Sequence, residues 1–239
     1  MRATTYGSAA ALAALLALGC SSAKDAAPAA APGAAAAPRA TDKYRVGDVR
    51  FFTAFQYPEA AEVEVYDTLD AALGSADVVL LGRVTDVRVT RTVGVEEPLP
   101  MYGVTVQPAE VLRGTLPAAH AAAVTVEFLS SAASPEDLRR GLPNGYSVWV
   151  LRRKGSLRPG VVPKRPLPTN ERDYYRLVSS QALFVQGESH VVNPLEHDHG
   201  PEIPLPGEAG HSAPRRDPVI VGAEQYATLS SFAAHARNV

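Results

Sequence analysis

The stretch DVVLLGRVTDVRVTRTV, residues 77–93, decides the fold. From Gly82 onward, Val84, Val87, Val89 and Val93 stand against Arg83, Asp86, Arg88 and Arg91. Alternation at period two marks a strand with one buried face. The pattern slips by one near Thr85-Asp86, which is what an extra, bulged residue does. Valine and threonine dominate, as a half-buried pleated surface prefers.

The same character spreads outward on the C-terminal side. MYGVTVQPAEVLRG, residues 101–114, reads as a second strand, and GVEEPLPMYG between the two runs reads as a long hairpin loop. Pro108 has no N–H to donate, so it marks an edge or a bulge. AVTVEFL, residues 123–129, is a third strand. In SPEDLRRG, Ser134 is placed to cap a helix, Pro135 to open it and Gly141 to stop it. GYSVWVLRR, residues 145–153, is a fourth strand, with Trp149 expected in the core. YYRLVSS and ALFVQGESHVV read as a closing hairpin with its turn near Gly187-Glu188. On the N-terminal side, residues 49–55 read as a first strand, and Asp67 as the cap of a short helix bearing Leu69, Ala72 and Leu73. Residues 193–218, rich in Pro, Gly and charge, read as a long surface loop. The last eighteen residues, 222–239, read as one helix with an apolar stripe through Tyr226, Leu229 and Phe232. The expected fold is therefore mainly β: a small antiparallel β-barrel or a sandwich, with short helices and a C-terminal helix.

The first forty-two residues have another character. Met1-Arg2, then Ala and Leu from Ala9 to Leu18, then Gly19-Cys20, form the layout of a signal peptide over 1–19. The apolar run of roughly ten residues is half of what a membrane-spanning helix needs. Residues 21–42 alternate Ala with Pro28, Pro32, Gly33 and Pro38, which interrupt helix and favour an extended tether. The folded part is expected over 43–239, with its core about 76–193.

Two resemblances follow from these residues. Ala17-Leu18-Gly19-Cys20 resembles the bacterial lipobox, with Ala17 where that motif usually has Leu. The resemblance implies that Cys20 is acylated and that the protein is a lipoprotein on the extracytoplasmic face of a membrane. An ordinary secretory signal with an incidental cysteine is the alternative. Two or three acyl chains hold a protein on a bilayer stably, at about 0.8 kcal/mol per buried methylene. The body, through ADVVLLGRVTDV, YGVTVQPAEVLRG, VTVEF, GYSVWVLRR and ALFVQG, resembles the oligonucleotide/oligosaccharide-binding (OB-like) and netrin-like β-barrel modules of exported bacterial proteins. That resemblance implies the fold. Netrin-like domains usually carry disulfides, whereas this chain has one cysteine and forms none internally.

Charge excludes some partners. Removing residues 1–19 takes one basic side chain, Arg2, from the 23, leaving 22 against 25 acidic, a net charge of −3. A near-neutral surface argues against nucleic acid as a partner. His190, Glu196, His197, Asp198 and His199 lie within ten residues, and imidazole with carboxylate suits a zinc-like ion. Prolines 194 and 201 make that stretch a loop, and a solvated polar loop is the plainer account. Arg152, Arg153, Lys154 and Arg158 form a basic run suited to an anionic polymer or headgroup, or to balancing acidic neighbours. Over residues 43–239 no Gly-x-Ser-x-Gly elbow, no Ser-x-x-Lys motif of the penicillin-binding type and no phosphate-cradling glycine loop occurs. The sequence thus points to a non-catalytic envelope module that binds a protein or polymer, with no cofactor. The alternatives are a metal-dependent hydrolase using His197 and His199, or an accessory subunit of a transporter or sensor.

Overall fold

The valine-rich runs pair into one seven-stranded mixed sheet in the order β1-β2-β3-β5-β4-β6-β7. The structure is a computed structural model and describes residues 46, 49–56, 64–94, 98–129, 131, 133–156, 171–196 and 216–239. All of these lie in the compact unit Pro38–Val239. The strands are β1 (Val78–Val93), β2 (Leu99–Gly114), β3 (Val124–Leu129), β4 (Ser147–Arg153), β5 (Tyr175–Leu177), β6 (Leu183–Gln186) and β7 (Val191–Val192). The helices are α1 (Val49–Thr53), α2 (Leu69–Ser75), α3 (Pro135–Arg140), α4 (Pro218–Glu224) and α5 (Leu229–Ala236).

β1 and β2 make a long antiparallel arm whose register slips where the sequence slips, between Val84 and Asp86. Pro108 pairs with Gly82 beside another slip, so its missing N–H falls at an irregularity. Val93 already pairs with Leu99, so fewer residues separate β1 from β2 than expected, because Leu99 to Gly103 belong to β2. Over Val78–Gly82 the other edge of β1 pairs with β4. β2 pairs with β3, β3 with β5, and β5 with β4. The expectation of a wholly antiparallel sheet is corrected here: β3 and β5 run parallel. The expected closing hairpin is also split. β5 joins β4 and β3, while β6 and β7 form the hairpin around Gly187-Glu188.

Residues 49–55 are not a strand. Val49–Thr53 is helical, and Phe55 follows in a turn. Phe51, Phe52 and Phe55 stand at i, i+1 and i+4, which gathers three rings on one helical face. Phe52 lies edge-on to Trp149 at 5.9 Å, and Phe55 packs 4.8 Å from Phe128. Each buried phenylalanine contributes roughly 1.5–3 kcal/mol, which outweighs the strand preference of an aromatic-rich segment. Trp149 is fully buried, as expected.

The α2 cap is Thr68 rather than Asp67; its side chain accepts from Ala71 N. Ser134, Pro135 and Gly141 start and stop α3 as their spacing predicts. The single C-terminal helix is two helices: α4 ends at Glu224 with Gln225 as its cap, Tyr226 lies between, and Thr228 caps α5. α5 packs on β2, β4 and β6. No described helix is long and apolar enough to cross a membrane.

Candidate functional site

The bulge near the end of β1 builds a polar centre. Val89 opposes Tyr102 and Arg91 opposes Met101, which leaves Thr90 unpaired. Thr90 and Arg91 therefore both reach across β2 to Glu127 on β3. Gly103, between them, is what makes the crossing possible. A Cβ there would lie 2.4 Å from the Thr90 methyl and 2.7 Å from the Thr125 methyl.

Glu127 has no exposed side-chain surface. It accepts from Arg91 Nη2 at 2.7 Å, from Lys154 Nζ at 2.6 Å and from the Thr90 hydroxyl. Burial works against its charge. The hydrogen bonds from Lys154 and Thr90 and the attraction of Lys154, with the Arg91 bond, outweigh burial and hold the carboxyl below its usual range. Arg91 also pairs with Glu171, and its guanidinium stands 5.6 Å from the Tyr174 ring centroid. Its hydrogen bond to Glu171 is the main force raising its own pKa. A general acid or base works best with a pKa near ambient pH. The depressed Glu127 carboxyl is instead an anion at neutral pH that fixes two cations in place.

The basic run is drawn into similar pairs. Arg152 and Arg176 oppose each other across β4 and β5, a repulsive pairing. Glu64 offsets it by accepting from Arg152 at 2.8 Å and from Arg176 at 2.5 Å, and it also takes the Tyr66 hydroxyl. Burial, then that hydrogen bond to Glu64, raises the Tyr66 pKa. Arg152 donates further to Ser75 O at 2.6 Å. Arg153 donates to Arg172 O at 2.6 Å, and Lys154 belongs to Glu127. Of the expected basic residues, Arg158 lies outside the described residues.

Two of the expected metal ligands come to one region by way of a cation. Arg216 pairs with Glu196 at 3.0 Å and with Glu224 at 2.7 Å, and His190 stands 4.0 Å from Glu224. The Arg216 hydrogen bond is the main reason that the Glu224 carboxyl lies below its usual range. Gln56, Asn193, Glu196 and Arg216 line a cleft of about 390 Å³ beside α1. Among the described residues no group of three or more His, Cys, Asp or Glu is placed to hold a metal ion. His197, His199 and Cys20 lie outside the described residues.

Sequence reasoning missed Thr90, Arg91, Glu127, Glu171 and Glu64 as partners. A signal existed for one of them: Glu127 is the lone charge in the apolar run VTVEFL. Fold and polar centre together define a mainly β chain whose buried charges are spent on one another. No protein-family model, no curated protein and no solved structure matches the chain.

Proposed function

We propose that this chain is an exported, lipid-anchored envelope module that binds a protein or polymer without catalysis. In this reading Cys20 carries the lipid, residues 20–42 are the tether, and the sheet is a small OB-like barrel. The observation that carries it is the circuit of pairings β1-β2-β3-β5-β4 and back to β1, with α3 in the connection from β3 to β4. A twisted sheet whose pairings return to their first strand encloses a core and offers its outer face to a ligand. On that face the exposed Arg88 and Leu99 stand near the largely buried Arg91–Glu127 centre. A fixed polar centre beside apolar and cationic side chains is suited to recognition rather than proton transfer.

The test has two arms. Radiolabelled palmitate should enter the wild-type chain and not a Cys20→Ser variant; label in neither overturns the anchor. The chain with an affinity tag should retain a partner from detergent-solubilised envelope, and an Arg88→Glu/Leu99→Asp variant should lose it. Recovery of the bait alone, or equal capture by the variant, overturns binding through this face.

A further inference from the structure

The junction of β3 with β5 has one registered backbone pair, Val126 with Tyr175, whereas β5 has three on β4. Buried titratable groups flank that pair on both sides. Beside Val126, Glu127 binds Lys154, whose own backbone N–H donates to Tyr174 O at 2.9 Å. Through Arg91, Glu127 also reaches Glu171 just ahead of β5. On the other side the buried His120 ring stands edge-on to Tyr175, with centroids 5.3 Å apart. The Tyr175 hydroxyl is buried with no hydrogen-bond partner among the described residues.

We propose that the β3–β5 junction is an acid-sensitive opening: on acidification β5 leaves β3 while the pairing of β1 with β4 persists. The groups facing Glu127 are Thr90 and Arg91 from β1, Lys154 after β4 and Glu171 before β5, with Arg88 in the same cross-strand row beyond Gly103. The charges acting on His120 are Arg153 and Asp173. Burial, then Arg153, holds the imidazole below its usual value, with Asp173 opposing. A group with a depressed folded pKa costs the folded form stability as pH falls below its unfolded value, near 6.5 for histidine. Protonation therefore loads the Tyr175 side first. Glu127, depressed in the same direction, gives way lower, below the usual carboxylate value near 4.3. β5 keeps its partners on β4 throughout, including Leu151 with Leu177.

Amide hydrogen exchange on the full chain, corrected for intrinsic rates, tests this. Between pH 7.5 and 5.5, protection of the amides that β3 and β5 turn toward each other around Val126 and Tyr175 should fall about tenfold relative to 78–82 and 147–151, while those turned to β2 and β4 keep theirs. His120→Phe should remove that step, and Glu127→Gln should open the junction already at pH 7.5. If the amides facing across the junction lose protection only together with 78–82, or if His120→Phe leaves the step in place, the opening does not exist. His120→Phe keeps the ring packing, so the test stands even where Glu127→Gln does not fold.

Discussion

Arg91 and Glu127 are 36 residues apart in the chain and 2.7 Å apart in the fold. The bulge at Thr90 turns Arg91 toward β3, and Gly103 lets it pass over β2. Lys154 depends on this carboxylate, and Arg91 divides itself between it and Glu171. Removing it takes the carboxylate from a largely buried Lys154 and leaves Arg91 with Glu171, and breaking such a buried pair costs about 3–5 kcal/mol. Glu127→Gln should therefore lower the unfolding free energy at pH 7 by that order. The sign with pH follows from the depressed carboxyl. Its contribution is complete above the unfolded value near 4.3 and is lost as pH falls through the lower folded value. Urea titrations of wild type and variant should converge on acidification; a gap independent of pH would refute the assignment.

Gly103→Ala tests the crossing from the other side. The new methyl meets the Thr90 and Thr125 methyls far inside van der Waals contact. Overpacking of this kind costs about 1–3 kcal/mol. Thr90→Ser in the same chain removes the nearer methyl and keeps the hydroxyl on Glu127, so it should restore part of the loss. Equal melting temperatures for the single and double variants would show that no clash exists.

The strands were legible because a buried face imposes period two on valine wherever the strand is half exposed. β4, buried from Ser147 to Arg152, was legible from the turn signal Pro143-Asn144-Gly145 before it and from Tyr146, Val148 and Val150 on one face. The parallel pairing of β3 with β5 was not legible, because 45 residues lie between Leu129 and Tyr175 and local pattern carries no record of a distant partner. α1 was misread since Phe51 and Phe52 within it, and Phe55 in the turn that follows, are as common in strands as in a short helix; the i, i+4 spacing of Phe51 and Phe55 was the available clue. In the candidate site, Lys154 and Arg152 were noticed as charges that acidic neighbours could balance, but Glu127 and Glu64 were not named as those neighbours. A carboxylate on the outward position of a strand looks solvated until the segment covering it is known.

Glu64 stands between two arginines that face each other across β4 and β5. Glu64→Gln should destabilise by an amount similar to the Glu127 variant, about 3–5 kcal/mol. Arg176→Gln in that background should recover part of it, because the cross-strand repulsion goes with the charge. A double-mutant cycle should give a coupling between the two positions of about 0.5–3 kcal/mol. Strict additivity would mean that Glu64 serves Arg152 alone.

α1 lies between two segments outside the described residues, yet its aromatic face is part of the core. Phe52 is almost wholly buried and meets Trp149, the chain's one tryptophan, edge-on. Phe52→Ala removes the ring and leaves a void against the indole, at a cost of about 3–5 kcal/mol. In a chain of this size each kcal/mol shifts the melting temperature by roughly 2–4 °C, so a fall of about 6–20 °C is expected. The Trp149 emission should move to the red as water gains access to the void. Thr53→Ala, one residue on and exposed, changes neither quantity if the helix presents the face described. A strand over 49–55 would place Phe51 and Thr53 together on the side opposite Phe52. Phe51→Ala would then leave stability unchanged. In the helix Phe51 is buried 5.0 Å from Phe52, and its loss should be felt as well.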